Sequence, residues 1–205
     1  LQFRYAQKRK HLGFKRWGVF SHRVMDRRHP LVADVNTRFD VPHSRFNEIT
    51  RTQFEQAGLR ILVESDAAGV HLATSADGFR IVFFQGHPEY DTVSLLKEYK
   101  REVARYSKGE RPDYPPLLAN YFSLKAQAIL DEHRERVVAA HAQGKIVPEF
   151  PEPLISASLD NTWHDTAEAV IDNWVGKVYQ ITNHDRRLPF QQNIDPNNPL
   201  GLDQP

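Results

Sequence analysis

The stretch RIVFFQGHPEYDTVSLLKEYKREVARYSK, residues 80–108, contains a strand signal followed by a helix signal and decides the fold class. Its apolar run, residues 81–84, is too short for a helix and rich in β-branched and aromatic side chains. Such a run is typical of a strand buried on both faces inside a parallel sheet. From Asp91 or Thr92, the candidate N-caps, to Gly109, a helix is predicted. Its apolar residues recur at helical spacing and form one stripe: Leu95, Leu96, Tyr99, Val103 and Tyr106.

His87 and Glu89 lie between the predicted strand and helix, directly after Gly86. In open α/β sheets this end of a strand is where ligands bind. A carboxylate beside an imidazole fixes its tautomer and stabilises the imidazolium that forms during proton transfer. An H-x-E pair alone is a weak signal, and an exposed histidine beside an unrelated glutamate is the alternative. The strand–glycine–helix context favours a general acid–base pair stiffened by Pro88.

Composition places the chain among globular proteins and limits its partners. Its 205 residues are 40% hydrophobic and 26% charged, enough for one domain with a buried core. The net charge of +1 predicts no strongly charged partner, and no apolar run approaches the roughly 20 residues of a membrane helix. A basic cluster within residues 1–28 lacks any nucleic-acid motif, so a solvated helix face is favoured over nucleic acid or cofactor phosphates. Zero cysteines exclude disulfides and cysteine-ligated metals.

The pattern before residue 80 predicts alternating strands and helices. Residues 1–12 read as a helix ended by Gly13, and residues 43–45 as a polar loop that carries functional groups. Residues 51–57 read as a short helix ended by Gly58. Strands are predicted at residues 17–24, 30–32, 37–41 (stopped by Pro42), 59–63 and 69–74, the last followed by a hairpin turn at 76–78. Together these elements predict an α/β fold with a mixed sheet.

Beyond the opening stretch, two further helices are predicted. One covers residues 123–143 and is followed by a linker marked by prolines 148, 151 and 153. The second covers about residues 162–182. Residues 189–205 are polar, rich in Pro and Asn, and expected to be loosely ordered.

In four stretches the sequence resembles the homoserine O-succinyltransferase family. These are Gly18-Val19-Phe20 with His22, Pro42-His43-Ser44-Arg45, Gly86-His87-Pro88-Glu89-Tyr90-Asp91, and Asn173-Trp174 through Tyr179-Gln180-Ile181-Thr182. The resemblance implies a class I glutamine amidotransferase-like (flavodoxin-like) sheet with helices on both faces, present here as its C-terminal portion. It also implies transfer of the acyl group of succinyl-CoA (or acetyl-CoA) to the hydroxyl of L-homoserine through a cysteine acyl-enzyme, in methionine biosynthesis.

Family members use a Cys–His–Glu triad, and the resemblance gives His87 and Glu89 the second and third roles. It also implies that Arg101 clamps the homoserine carboxylate and that Lys15 and Ser44 contact substrate. Each of these three has a simpler interpretation, as a solvated lysine, a turn serine or a surface arginine. His22 and His43 are expected to be structural, because histidine often serves as a buried hydrogen-bonding group.

The sequence departs from the family pattern in two ways. The nucleophilic cysteine is absent and is expected shortly upstream of Leu1, in an elbow whose helix would be residues 1–12, so that the chain alone would be inactive. Residues 123–155 read as a helical insertion plus linker. Residues 1–188 are then the C-terminal part of a single acyltransferase domain, with 189–205 as its tail.

Two other functions stay open at the level of sequence. One is a glutamine amidotransferase domain, which shares the Cys–His–Glu set, and the other is a cysteine-free pseudoenzyme acting as a scaffold module. The expected partners are the acyl-CoA co-substrate, homoserine, the missing N-terminal segment and a second copy in a homodimer. No nucleic acid, membrane, metal or further cofactor is expected. The family resemblance implies a cytoplasmic location.

Overall fold

The computed structural model describes residues 1–202. The chain divides into two compact units, and each is described by itself. The first contains Leu1–Arg16, Phe20–Glu89 and the chain from Thr162 onward, and the second contains Trp17–Val19 and Tyr90–Asn161.

Within the described residues, five strands form one sheet in the order β2-β1-β3-β4-β5. They are β1 Lys10–Val24, β2 Arg38–Glu48, β3 Arg60–Ser65, β4 Gly69–Thr74 and β5 Val82–Phe84. β3 pairs antiparallel with β1 and β4, and β4 pairs antiparallel with β5 in the register Leu72 to Phe84. The described chain thus combines strands and helices, as the predicted α/β fold class requires.

Six α-helices complete the described chain. They are α1 Gln2–Tyr5, α2 Arg51–Gln56, α3 Ser94–Ser107, α4 Leu124–Ala142, α5 Glu152–Ser156 and α6 His164–Ile181. All five residues of the predicted apolar stripe are buried on α3, and Gly109 follows that helix with a φ of +73°. α4 begins after Ser123, the first residue of the predicted range, whose side chain accepts a hydrogen bond from the Ala126 amide. The three long helices are therefore predicted correctly from apolar spacing.

β5 is not the buried parallel strand that its apolar sequence predicts. It lies at one edge of the sheet, pairs antiparallel with β4, and all three of its residues are only partly buried. The reason is the hairpin turn before it, where the Asp77 carboxylate accepts hydrogen bonds from the Phe79 and Arg80 amides. A tight turn joins antiparallel neighbours, whereas parallel strands need a long crossover.

The prediction of a helix over residues 1–12 is also wrong. The helix ends at Tyr5, because Ala6 takes a left-handed conformation with φ of +55°, and strand β1 begins at Lys10. Leu1 and Tyr5 pack against a cluster that includes Phe54 and Val70, so tertiary contacts decide the local structure.

Three shorter predictions need correction too. Residues Pro30–Val32 form a 3₁₀ turn in which His29 caps the Leu31 amide, not a strand. β2 continues through Pro42, so that residues 43–45 lie in a strand and not in a loop. α3 starts after Val93 with no side-chain cap, so neither Asp91 nor Thr92 is its N-cap.

The chain after α6 contributes to the core of the first unit. Phe190 is buried, forms a bridge with Thr182 and packs with Phe79 and Ile181. Part of the tail that the sequence predicts to be loosely ordered is thus packed. No helix in the described part of the chain is both long and apolar enough to cross a membrane.

Gly18 lies in close backbone contact with Ala119 in the second unit, and a substitution there tests this packing. It bridges Ala119, and a Cβ on it would lie 2.2 Å from the Ala119 carbonyl oxygen, with φ at +142°. Gly18→Ala is expected to lower the free energy of unfolding of the full-length protein by roughly 3 kcal/mol in urea titrations, since backbone atoms must move. Gly176→Ala is the control, because its Cβ meets nothing within 4 Å on α6. It should be neutral or stabilise by up to about 1 kcal/mol. Equal effects of the two variants would contradict the packing around Gly18.

Candidate active site

Residues 85–87 join the two edges of the sheet. The Gln85 side chain accepts a hydrogen bond from the Ile49 amide at 2.7 Å and donates one to the Ile49 carbonyl at 3.0 Å. The His87 amide donates to the Pro42 carbonyl at 2.8 Å. Because Ile49 follows β2 and Pro42 lies within it, the chain leaving β5 is fastened to the opposite edge strand. His87 therefore stands on a backbone that is held from both sides.

His87 and Glu89 form the predicted hydrogen bond. Nδ1 of His87 lies 2.9 Å from Oε1 of Glu89, inside the range expected for a catalytic pair. The imidazole is 31% exposed and the carboxylate 66% exposed, so both groups are accessible to a ligand. A neutral imidazole that donates from Nδ1 to a carboxylate carries its lone pair on Nε2. The pair can therefore accept a proton at Nε2 while the carboxylate stabilises the resulting imidazolium.

Three buried histidines lie behind this turn, here called the histidine cluster: His22 on β1, His43 on β2 and His71 on β4. Their exposed fractions are 1%, 0% and 3%. The rings of His22 and His43 stack with centroids 5.1 Å apart, and His71 meets them edge-on at 5.4 and 6.2 Å. The sequence predicts His22 and His43 as buried hydrogen-bonding groups, which their burial confirms. His71 is not recognisable from sequence, because nothing near it marks a site.

Hydrogen bonds assign a consistent tautomer to each ring of the cluster. Nδ1 of His22 lies 2.8 Å from the Phe20 carbonyl and must donate, so its Nε2 accepts from Nε2 of His43 at 3.3 Å. Nδ1 of His43 then accepts from Nε of Arg45 at 3.3 Å. Nδ1 of His71 accepts from the Gly86 amide at 3.2 Å, which leaves its proton on Nε2. All three rings are neutral in this arrangement.

Burial also keeps the cluster neutral. Loss of hydration lowers the pKa of His22 to about 4. The same desolvation holds the pKa of His43 and of His71 well below the ordinary histidine value, and neighbouring histidines and Arg45 lower both further. The three histidines behind His87 therefore stay uncharged at neutral pH.

Ser44 lies on β2 between His43 and Arg45 and lines a cavity of about 680 Å³. Gln85, two residues before His87, lines the same cavity. Arg45 is fixed there, because its guanidinium donates to the carbonyls of Asn47 at 2.8 Å and Ala68 at 2.5 Å. Ser44 is therefore held on a rigid strand next to a space of ligand size.

The other two candidate substrate residues lie on different elements. Lys15 lies on β1 and is partly exposed. Arg101 belongs to the second unit, on α3, where its side chain is 64% exposed and lies 3.7 Å from Glu102. His87 and Glu89 are thus the two candidate residues that the structure brings into direct contact. Within residues 1–202, no group of three or more His, Asp or Glu side chains has the geometry of a metal site.

Because its histidines are buried and neutral, the histidine cluster should make the stability of the fold decrease at acidic pH. A histidine whose pKa is lower in the folded than in the unfolded chain binds fewer protons when folded, so stability falls as the pH drops from about 6.5 toward 4. For His22 alone the loss by pH 4 is on the order of 3 kcal/mol. His22→Gln, which offers an acceptor near Nε2 but does not titrate, should flatten this dependence in urea unfolding. The exposed His184→Gln should leave it unchanged, and an equal slope in all three proteins would refute the assignment.

Comparison with known proteins gives one family. The homoserine O-succinyltransferase family model matches residues 1–184. Proteins named homoserine O-succinyltransferase are 67% identical over 202 residues in Allochromatium vinosum, 63% over 205 in Nitrosococcus oceani and 46% over 201 in Cardiobacterium hominis. The alignments cover 98%, 100% and 98% of this chain but 57%, 57% and 55% of those relatives, so the chain spans little more than half their length. This chain belongs to the homoserine O-succinyltransferase family.

Proposed function

We propose that the protein transfers the succinyl group of succinyl-CoA to the hydroxyl of L-homoserine through a cysteine acyl-enzyme, in methionine biosynthesis. The observation that carries the proposal is the hydrogen bond between His87 and Glu89, on a fixed turn, in a chain of this family. The cysteine comes from a part of the protein outside residues 1–205, since this chain has none.

In the first half-reaction, Nε2 of His87 takes the proton of the cysteine thiol. The thiolate attacks the thioester carbonyl of succinyl-CoA, and the bond from that carbonyl to the sulfur of CoA breaks. The CoA thiolate leaves with the proton held by His87, giving CoA–SH and a succinyl-cysteine. Glu89 stabilises the imidazolium between these two transfers.

In the second half-reaction, the same nitrogen takes the proton of the homoserine hydroxyl. The oxygen attacks the succinyl-cysteine carbonyl, and the carbon–sulfur bond breaks. The cysteine thiolate recovers its proton from His87, so the enzyme returns to its starting state. Because Nε2 is the base in both steps, the orientation that Glu89 gives the ring serves the whole cycle.

Substrate binding is assigned to three further residues. A guanidinium matches a carboxylate with two parallel hydrogen bonds, which suits Arg101 to the homoserine carboxylate. Lys15 and Ser44 are proposed to contact substrate, and the cavity beside Ser44 has the size of small-molecule sites. Acetyl-CoA is the alternative donor. Acyl-CoA is a co-substrate, and no other cofactor is invoked.

The proposed domain organisation, location and assembly follow from the same function. Residues 1–188 would be the C-terminal part of a single acyltransferase domain, with the segment 123–155 as an insertion and 189–205 as the tail. The enzyme would act in the cytoplasm, where acyl-CoA is consumed, and a homodimer is its proposed assembly.

Activity of the full-length protein tests the proposal. CoA release from succinyl-CoA should require homoserine, and glutamine should not be hydrolysed. Glutamine hydrolysis without CoA release would establish an amidotransferase instead. Absence of both activities in a folded protein would favour a pseudoenzyme that acts as a scaffold module.

Substitutions of His87 and Glu89 should lower kcat to different extents. In the full-length protein, His87→Ala should lower kcat by several orders of magnitude because no base is left, measured by CoA release. Glu89→Gln should cost less, since it keeps the shape and loses only the charge. His164 and Glu168 on α6 form the matched control, an exposed His–Glu pair with Nε2 and Oε1 3.5 Å apart. His164→Ala and Glu168→Gln should retain activity, and full activity in His87→Ala would end the proposal.

Arg101→Lys tests the carboxylate clamp. A lysine keeps the charge but not the two-pronged geometry, so the KM for homoserine should rise far more than the KM for succinyl-CoA. Arg105→Lys, one turn further along α3, is the control, because Arg105 pairs with Glu102 and Glu110 at the surface. It should leave both KM values within about twofold of the parent. Equal increases in both KM values for Arg101→Lys would indicate general destabilisation instead.

A further inference from the structure

We propose that His71 is a positioning residue for His87: its buried imidazole accepts a hydrogen bond from the Gly86 amide and thereby sets the turn that presents the base. The kinetic part of this proposal rests on the acyltransferase function proposed above. The structural part, which concerns the tautomer of His71 and the protection of one amide, does not.

Three consecutive amides of the turn are held by defined acceptors. The Gln85 amide donates to the His71 carbonyl at 2.9 Å, the Gly86 amide to Nδ1 of His71 at 3.2 Å, and the His87 amide to the Pro42 carbonyl at 2.8 Å. The first and third acceptors are backbone atoms, which most substitutions preserve. The second is a side-chain nitrogen, so the middle of the turn depends on the identity of residue 71.

Gly86 is pressed against the histidine cluster. A Cβ at Gly86 would lie 2.4 Å from Cγ1 of Val41, 2.9 Å from Nδ1 of His71 and 3.0 Å from Cε1 of His43. Real Cβ atoms essentially never make contacts shorter than 3.0 Å, so a side chain here would force the turn, Val41 or the rings to move. The imidazoles of His71 and His43 therefore form the surface on which the backbone preceding His87 rests.

The hydrogen bond to Gly86 requires an unprotonated Nδ1 on His71. His71 is enclosed by His22, His43 and Phe84, with ring centroids 5.4, 6.2 and 5.5 Å away. A ring so enclosed has one orientation in which Nδ1 faces the turn, and the tautomer with its proton on Nε2 is the one that can accept. Filling the core would require only an apolar residue of similar volume, whereas holding the Gly86 amide requires an acceptor at the position of Nδ1.

Two amide substitutions at residue 71 separate these roles in the full-length enzyme. In His71→Asn the side-chain oxygen can occupy the place of Nδ1, while in His71→Gln the amide group reaches the place of Nε2. His71→Asn should keep kcat within a few-fold of the parent. His71→Gln should lower kcat by about a hundredfold with both KM values nearly unchanged, since a small displacement of a base costs about that much.

Hydrogen exchange of the Gly86 amide, followed by NMR, gives a readout independent of activity. Exchange should be faster in His71→Gln and close to the parent rate in His71→Asn. In the unmodified protein, ¹⁵N shifts should show the Nε2–H tautomer of His71, a measurement that needs no variant to fold.

Three results would overturn the proposal: the Nδ1–H tautomer in the unmodified protein, equal Gly86 exchange in both variants, or equal kcat losses in both. A parent enzyme without acyltransferase activity but with the predicted tautomer and exchange pattern would remove the proposed function. In that case the contact between His71 and Gly86 would stand.

Discussion

Two edges of one sheet meet at residues 85–87, and the geometry of the candidate site depends on that junction. The Gln85 side chain bonds both backbone groups of Ile49, and the His87 amide bonds the Pro42 carbonyl. An open sheet edge leaves backbone donors and acceptors unpaired, and here some of them are satisfied by the chain that leaves β5. The same hydrogen bonds therefore satisfy part of the sheet edge and fix the position of His87.

Histidine has two opposite roles within this small region. In the histidine cluster, burial lowers the pKa and each ring nitrogen with an assigned partner acts as a fixed donor or acceptor. His87 is partly exposed and hydrogen-bonded to the Glu89 carboxylate, so its ring is open to a ligand. The difference lies in hydration and in the charge of one neighbour, not in residue type. Because the rings behind the turn are neutral, they place no positive charge beside His87.

The sequence correctly predicts the features that depend on residues close together in the chain. The stripe on α3 and the contact between His87 and Glu89 follow from spacing within a few residues. The wrong predictions concern features that tertiary contacts decide. The sequence predicts that Pro42 ends a strand, but β2 is an edge strand of the described sheet, where a missing N–H is tolerated. Likewise, the apolar sequence of β5 predicts a central strand, whereas β5 is an edge strand. His71 can be recognised as part of the site only in the folded chain, where its ring on β4 contacts Gly86.

In the proposed reaction, His87 serves a covalent acyl-enzyme. Intact-mass measurement of the full-length protein mixed with succinyl-CoA, without homoserine, tests it most directly. We expect one succinyl group per chain, bound as a thioester to a cysteine outside residues 1–205 and lost when homoserine is added. Succinyl-homoserine formation with no adduct at any time, or a succinyl group carried by a residue within 1–205, would contradict it.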